Sequence, residues 1–209
     1  MADLDLHVLT MGAPVAPPAF SQSLQPRSVV SSINEHGINT LFVLSSEISE
    51  LQRDFAREFD IEFEERDSAL IDHFNYVQGS NDMHTNVLLD PQESLARDVP
   101  STVVSARTRQ SSSPILYTGI AHSVGHNPLL IPVLHARDTG YSGEPTANED
   151  EDSVADTKGR LKPVLAGKHA GLVSAMQTRG NARVGWIGSE AMLRDSAWKA
   201  NVVDRNSET

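Results

Sequence analysis

The sequence predicts an α/β fold with a mostly parallel sheet flanked by helices. Strand-like and helix-like segments alternate in the amino-terminal part. Leu4–Met11 and Thr40–Ser45 are short apolar runs, and Arg27–His36 between them has apolar side chains at helical spacing. This alternation is typical of parallel sheets, because parallel strands need a crossover connection. The 209 residues are enough for one buried core, so we expect a single domain over residues 1–209.

Local signals mark the ends of the two predicted helices. Pro26 suits the first turn of the first helix, and Gly37 is well placed to end it. The second helix is predicted to run to about Phe59, and either Ser46 or Ser49 can cap its amino terminus. Three residues at spacings of four predict its buried face: Leu51, Phe55 and Phe59.

The middle of the chain predicts short strands followed by one acidic loop. Four candidate strands are Ala69–Asp72, Thr85–Leu89, Thr102–Ser105 and Ile115–Tyr117. Residues 140–159 then carry six acidic side chains and no basic one before Lys158. Such a stretch repels itself and has little apolar surface to bury, so we expect a mobile loop within the domain.

Regular patterns return after the acidic loop. Ala170–Gln177 and Ala182–Ile187 are predicted to form strands joined by a turn at Arg179–Asn181. Ser189 can cap a final helix that extends through Trp198.

Composition restricts the classes of function. Apolar residues make up 39% of the chain, and the net charge is −11, with 28 acidic against 17 basic side chains. Binding to nucleic acid or to an anionic membrane surface is therefore disfavoured. The absence of cysteine excludes disulfides, thiolate metal sites and a cysteine nucleophile. No apolar run approaches the roughly 18 residues of a spanning helix, and the amino terminus does not have the pattern of a secretory signal.

Three places carry residues that could support chemistry, and each has a structural alternative. His122 and His126 have the spacing of two ligands on one helix face, but the surrounding glycines and proline disfavour a helix, so we expect no metal site. Asp72-His73 follows a strand end, where ligands bind in open α/β sheets, although a hydrogen-bonded turn is the favoured interpretation. Ser189 lacks the pattern of a nucleophile elbow and is better explained as a helix cap. No phosphate loop or dinucleotide-binding motif is present, so no cofactor is predicted.

Several short motifs, in order along nearly the whole chain, resemble one known family. They are Asp60–Glu65, Ala69–Tyr76 with His84-Thr85, Ser113–Ile120, Asn127–Leu129, Gly167–Val173, Gln177–Val184, Gly188-Ser189 and Asp195. Together they are similar to the forty-eight-kilodalton subunit of the eukaryotic oligosaccharyltransferase, the yeast Wbp type. The chain departs from that family's pattern at Gly180-Asn181, at Glu190–Leu193 and in the acidic insert 144–156.

This resemblance implies the luminal part of an endoplasmic-reticulum membrane complex that transfers a dolichol-linked glycan to asparagine. It implies a non-catalytic structural subunit, since catalysis in that complex belongs to another subunit. Its expected partners are the other subunits, including the catalytic one. Full-length relatives carry a signal peptide, further luminal β domains and a membrane span. The chain is therefore expected to be a truncated fragment, attached to the membrane through parts it lacks. The resemblance also implies an amidotransferase-like or flavodoxin-like fold.

Four polar residues near predicted strand ends are candidates for an interface or a ligand site: Asp72, His73, Asn75 and Arg183. They also motivate an alternative function, an α/β module that binds glycan or acceptor peptide. A hydrolase that uses His73 or Ser189 ranks last.

Overall fold

The computed structural model describes residues 6–10, 26–79, 83–145 and 165–194. Its strands are β1 Leu6–Thr10, β2 Asn39–Val43, β3 Ile61–Phe63, β4 Ala69–Ile71, β5 Val87–Leu89, β6 Ile115–Tyr117, β7 His122–Val124, β8 Leu130–His135, β9 Tyr141–Gly143, β10 Gly171–Gln177 and β11 Arg183–Ile187. Its α-helices are α1 Pro26–His36, α2 Glu50–Arg57, α3 Pro91–Ser94 and α4 Ala106–Arg109.

The main sheet has seven strands, in the order β1-β2-β11-β10-β7-β3, with β8 also paired to β10. Among the described pairings, β1–β2 and β2–β11 are parallel. The other four in this sheet are antiparallel. Two separate two-stranded sheets, β4–β9 and β5–β6, are antiparallel as well.

The predicted fold class, a mostly parallel sheet flanked by helices of the amidotransferase-like or flavodoxin-like kind, is therefore wrong. The alternation of strand and helix that predicted it is confined to the segment up to β3. Beyond β3, the described helices are single turns of four residues, α3 and α4. A single turn is too short to cross over a sheet and return the chain in parallel, so the described strands from β3 onward pair antiparallel with one another, and only β11 pairs in parallel, with β2.

The amino-terminal unit follows its local sequence signals. β1 and β2 pair in parallel on either side of α1, which begins at Pro26 and ends at His36. Gly37 follows with φ +68°, the left-handed conformation that commonly ends helices. The first strand, the first helix and the second strand are confirmed.

The second helix confirms one predicted cap and contradicts part of the predicted face. Ser49 is the cap: its side chain accepts from the backbone N–H of Gln52, and the Gln52 side chain accepts from the Ser49 N–H at 2.7 Å. Ser46 is not the cap. Phe55 and Phe59 are buried, but Leu51 is 66% exposed. The buried residues of α2 are Arg53, Phe55 and Ala56, and Phe59 follows the end of the helix, so Leu51 in the first turn lies outside the buried face.

One predicted strand is wrong and four of the described strands were not predicted. Thr102–Ser105 is a turn, and the Ser105 side chain accepts from the Thr108 N–H at 3.2 Å to cap α4. The unpredicted strands are β3, β7, β8 and β9. The hairpin of β10 and β11 is confirmed, with Asn181 in the left-handed conformation at its turn.

The core consists of two buried clusters. In the first, α1 and α2 pack on β2 and β11, where the rings of Phe42 and Trp186 stack 4.2 Å apart and Phe55 lies 5.2 Å from Phe42. The second joins the small sheets to β8 and β10 and includes Leu70, Tyr117 and Leu172. The small sheets are therefore held against the main one by apolar burial.

Two predictions extend beyond the described residues. Residues 140–145 of the predicted acidic loop include β9, whereas 146–159 lie outside the described residues. The end of the predicted final helix, 195–198, also lies outside them, and the described part is a short 3-10 helix at Ala191–Leu193. In the ranges that the structure describes, no helix has the length and apolarity to cross a membrane.

Candidate functional site

The carboxylate of Asp72 organises a tight turn at the end of β4. Asp72 is fully buried. One of its oxygens accepts from the backbone N–H groups of Phe74 at 2.9 Å and Asn75 at 3.0 Å. The other accepts from the Asn75 side-chain amide at 3.1 Å and the Thr139 hydroxyl at 2.7 Å. A buried carboxylate needs such donors, and these four fix the turn to the chain next to β9.

Replacing Asp72 with Asn is expected to destabilise the domain by about 2 kcal/mol, because an NH₂ group would replace an oxygen that faces only donors. Urea unfolding followed by circular dichroism measures the change. Asn75→Ala, which removes one donor and leaves both backbone bonds to Asp72 available, should cost less than Asp72→Asn if the Asp72 carboxylate is the organising group. Equal losses for Asp72→Asn and an exposed control, Asp98→Asn, would contradict this role.

Two histidines and two tyrosines surround the turn. His73 Nδ1 lies 2.7 Å from His84 Nδ1, and His73 Nε2 lies 2.8 Å from the Tyr141 hydroxyl. The ring of Tyr76 stacks on His84 with centroids 3.9 Å apart. At the apex of the turn, Phe74 is 73% exposed. The structure therefore presents a surface of aromatic and imidazole rings, which we call the His73–His84 surface.

The sequence analysis placed three of its four candidates in this turn and missed their neighbours. Asp72, His73 and Asn75 lie together, and the packed, hydrogen-bonded turn favoured for them is what the structure has. Thr139 and Tyr141 were not predicted, because β9 pairs with β4 across some seventy residues of sequence. The signal for His84 was its place in the family-like motif His84-Thr85.

Arg183 is not part of this turn. It begins β11, and its backbone N–H donates to the Asn39 side chain at 2.8 Å. The strand that leads into the turn is instead linked to the opposite end of β11. The Leu70 N–H donates to the Gly119 carbonyl, and the neighbouring Ile120 N–H donates to the carbonyl of Gly188, which follows β11. The four predicted residues therefore do not form one site.

An open pocket of about 380 Å³ lies next to the turn, where β2 ends. It is lined by Ser46, Asp67, Ala69, Met83, Thr85, Thr118, Gly119, Glu144 and Pro145. Asp67 has φ +66°, an uncommon conformation for a residue with a side chain. The lining residues that the structure describes offer hydroxyls and two carboxylates and include no cationic side chain. This chemistry suits a neutral hydroxylated or cationic ligand and disfavours a phosphate.

Two of the other candidate residues, His122 and Ser189, are buried. His122 is fully buried, and its Nε2 lies 2.7 Å from the Ser174 hydroxyl. Burial lowers the pKa of His122 to about 3, so the ring is neutral. His126 is exposed. Ser189 is buried, donates to the Thr118 carbonyl at 2.6 Å and accepts from Met192, which caps the following 3-10 turn. Among the described residues, no group of three or more His, Cys, Asp or Glu could hold a metal.

Comparison with known families decides the assignment. The model of the OST48 N-terminal domain family matches residues 12–209. The chain belongs to this family. The OST48 match thus extends over almost the whole chain, as the ordered motifs predicted.

Individual OST48 relatives agree. The chain is 35% identical over 178 residues to the dolichyl-diphosphooligosaccharide--protein glycosyltransferase subunit wbp1 of Schizosaccharomyces pombe, covering 85% of this chain and 36% of the relative. It is 32% identical to the 48 kDa subunit of Drosophila melanogaster, covering 80% and 35%. It is 31% identical to that of Caenorhabditis elegans, covering 93% and 40%. The chain therefore spans little more than a third of the length of these relatives.

Proposed function

We propose that the chain is the amino-terminal domain of an oligosaccharyltransferase subunit of the 48 kDa, wbp1 type. In this proposal it acts as a non-catalytic structural part of the complex in protein N-glycosylation. The observation that carries the proposal is the OST48 family match over residues 12–209. The domain would lie on the luminal side of the endoplasmic reticulum, with membrane attachment supplied by the rest of the protein. Its partners would be the other subunits, including the catalytic one.

The local chemistry supports a structural role. The Asp72 carboxylate is the obvious partner for a catalytic histidine, but both of its oxygens are used by the turn. One accepts from the backbone of Phe74 and Asn75, and the other accepts from the side chains of Asn75 and Thr139. The Ser189 hydroxyl is buried and donates to a backbone carbonyl, so it is not presented to a substrate. Both groups stabilise loops, which fits a domain that displays a surface.

A chimera tests the proposal. Residues 12–209 would replace the matching region of the fission-yeast wbp1 subunit in cells that depend on it. We expect the chimera to co-purify with the other subunits and to restore glycosylation of a reporter glycoprotein. A Gly188→Ala chimera, disrupted in its core, is the control for loss of folding. A chimera that accumulates in the endoplasmic reticulum but neither co-purifies nor restores glycosylation would contradict the assignment.

The non-catalytic part of the proposal needs its own readout. Chimeras with His73→Gln or Ser189→Ala should assemble and support glycosylation at the level of the parent chimera. If either one assembled normally and the purified complex lost its turnover, the domain would contribute to catalysis and this part of the proposal would fail.

The pocket beside the turn favours a second function, binding of glycan or acceptor peptide. Its hydroxyls and carboxylates match the hydrogen-bonding groups of a sugar. Titration of the chain with a high-mannose oligosaccharide should shift the amide resonances of Thr85 and Thr118 and leave that of Arg183 in place. No shift at saturating oligosaccharide or acceptor peptide would remove this function.

A further inference from the structure

The two imidazoles of the His73–His84 surface converge on one point. Their Nδ1 atoms are 2.7 Å apart, with ring centroids 4.9 Å apart and ring planes at 83°. His73 is exposed, so the point between the rings is accessible from solvent. Neutral imidazole nitrogens are ligands for Zn²⁺, Cu²⁺ and Ni²⁺.

Neighbouring groups hold both rings in place. The Tyr141 hydroxyl lies 2.8 Å from the other nitrogen of His73, the position at which metal-ligating histidines normally carry an orienting hydrogen bond. The ring of Tyr76 lies against that of His84, with centroids 3.9 Å apart, and the backbone of His84 has φ +54°, which is uncommon for residues other than glycine. The Asp72 carboxylate fixes the backbone that follows His73, because it accepts from the N–H groups of Phe74 and Asn75. The pair is therefore oriented by its surroundings as well as by its own hydrogen bond.

The tautomers of the pair are complementary. A hydrogen bond between two Nδ1 atoms requires a proton on one of them and a lone pair on the other. If both rings instead carry their proton on Nε2, both Nδ1 lone pairs face the same point. This change of tautomer moves one proton from Nδ1 to Nε2 of the same ring, and no proton is released to solvent. A metal ion can therefore take the place of the shared proton, and the total charge of the two imidazoles does not change.

We propose that His73 and His84 form an open two-histidine site for a divalent transition metal ion, with Zn²⁺ as the simplest probe. Zn–N bonds of about 2.0–2.1 Å at a tetrahedral angle place two ligand nitrogens about 3.3 Å apart. The pair must therefore open by roughly 0.6 Å, which rotation of the exposed His73 ring supplies. The Tyr141 hydroxyl then accepts from the His73 Nε2–H.

Among the described residues, His73 and His84 are the two ligands of the proposed site. No third His, Cys, Asp or Glu among those residues joins the pair. Asp72 is the nearest carboxylate in sequence, and its oxygens accept from the turn and from Thr139. Sites with fewer than three or four protein ligands are not structural zinc sites. The metal would bind reversibly, with open positions at an exposed surface, and the fold would not depend on it.

Zinc titration of the 209-residue chain tests the site. Calorimetry should show one ion bound per chain in the micromolar range, lost in His73→Gln and in His84→Gln. Tyr141→Phe should weaken binding about tenfold, since orienting partners contribute on that scale. His126→Gln, at an exposed histidine elsewhere, should leave binding unchanged. Unchanged affinity in both His73→Gln and His84→Gln, or no binding to the native chain, would overturn the proposal.

A spectroscopic readout separates metal ligation from loss of folding. In ¹⁵N-labelled native chain, long-range imidazole spectra should show one of the two rings protonated at Nδ1 without metal. With Zn²⁺, both rings should be protonated at Nε2, and both Nδ1 resonances should shift. Zinc binding that leaves the tautomers of His73 and His84 unchanged would place the ion elsewhere and reject the site, whatever the variants do.

Discussion

Gly188→Ala is expected to destabilise the domain by roughly 3 kcal/mol or more, because no space exists for a methyl group at the end of β11. A Cβ on Gly188 would overlap the carbonyl oxygen of Ile120 and lie 2.6 Å from the Tyr117 hydroxyl. The same groups are joined by hydrogen bonds. The Tyr117 hydroxyl donates to the Ile120 carbonyl at 2.7 Å, and the Ile120 N–H donates to the Gly188 carbonyl at 2.8 Å. The methyl group can fit only if two crossing segments separate.

The neighbouring interactions make that separation costly. Tyr117 is fully buried, and burial raises its pKa far above the ordinary value, so its hydroxyl stays protonated as a donor. Gly119 faces the same crossing, where its own Cβ would overlap the Gly188 carbonyl. Moving either segment therefore breaks a buried hydrogen bond and opens the second core cluster.

Gly143→Ala is the matched control for this prediction. Its Cβ would have its nearest contact at 3.5 Å, an ordinary van der Waals distance, and neither glycine has a positive φ. Both substitutions reduce the entropy of the unfolded chain alike, so the difference in the free energy of unfolding reports the steric cost. Equal midpoints in urea for Gly143→Ala and Gly188→Ala would show that the crossing can relax.

Sequence signals that span only a few residues predicted the helix ends and the hairpin turn well. Pro26 and Gly37 bound α1, the Ser49 cap begins α2, and the turn at Arg179–Asn181 joins β10 to β11. Each of these depends on contacts between residues close in sequence. Strand direction does not, because it is decided by which distant strand lies alongside. That is why the hairpin was predicted while the mostly antiparallel sheet was not.

In the candidate site, too, the interactions between residues close in sequence could be predicted and those between distant residues could not. The Asp72 turn could be predicted, because its carboxylate reaches backbone groups two and three residues ahead. Thr139 and Tyr141 could not, since the register that pairs Ile71 with Tyr141 brings them in from far along the chain. Hydrophobic spacing also failed at Leu51, because the predicted face assumed one helix through Phe59, whereas α2 ends at Arg57 and buries Arg53, Phe55 and Ala56.

A second large effect is expected from His122, as loss of stability in mild acid. Its Nε2 lies 2.7 Å from the Ser174 hydroxyl, while its Nδ1 is buried and has no hydrogen-bond partner among the described residues. Protonation would put an unpaired N–H and a charge beside the Phe63 ring, whose centroid is 4.8 Å away. Burial accordingly lowers the pKa of His122 from 6.5 to about 3 in the folded chain.

The direction of the pH dependence follows from that lowered pKa. Above pH 6.5, His122 is neutral in both states, and its contribution to stability is fully present. Below 6.5 the unfolded chain takes up a proton that the folded chain refuses, so stability falls by about 1.4 kcal/mol per pH unit until the folded pKa is reached. Between pH 7 and pH 4, the loss attributable to this residue is about 3 kcal/mol.

His122→Gln isolates this contribution, because glutamine can still bond to Ser174 but does not titrate. The variant should be less stable than the native chain at pH 7, and the gap in the free energy of unfolding should shrink by about 3 kcal/mol at pH 4. His126→Gln, which removes an exposed histidine four residues away, controls for the general effect of losing one histidine on the pH dependence of stability. A gap between native chain and His122→Gln that stays constant from pH 7 to pH 4 would mean that the buried ring accepts a proton in the folded state.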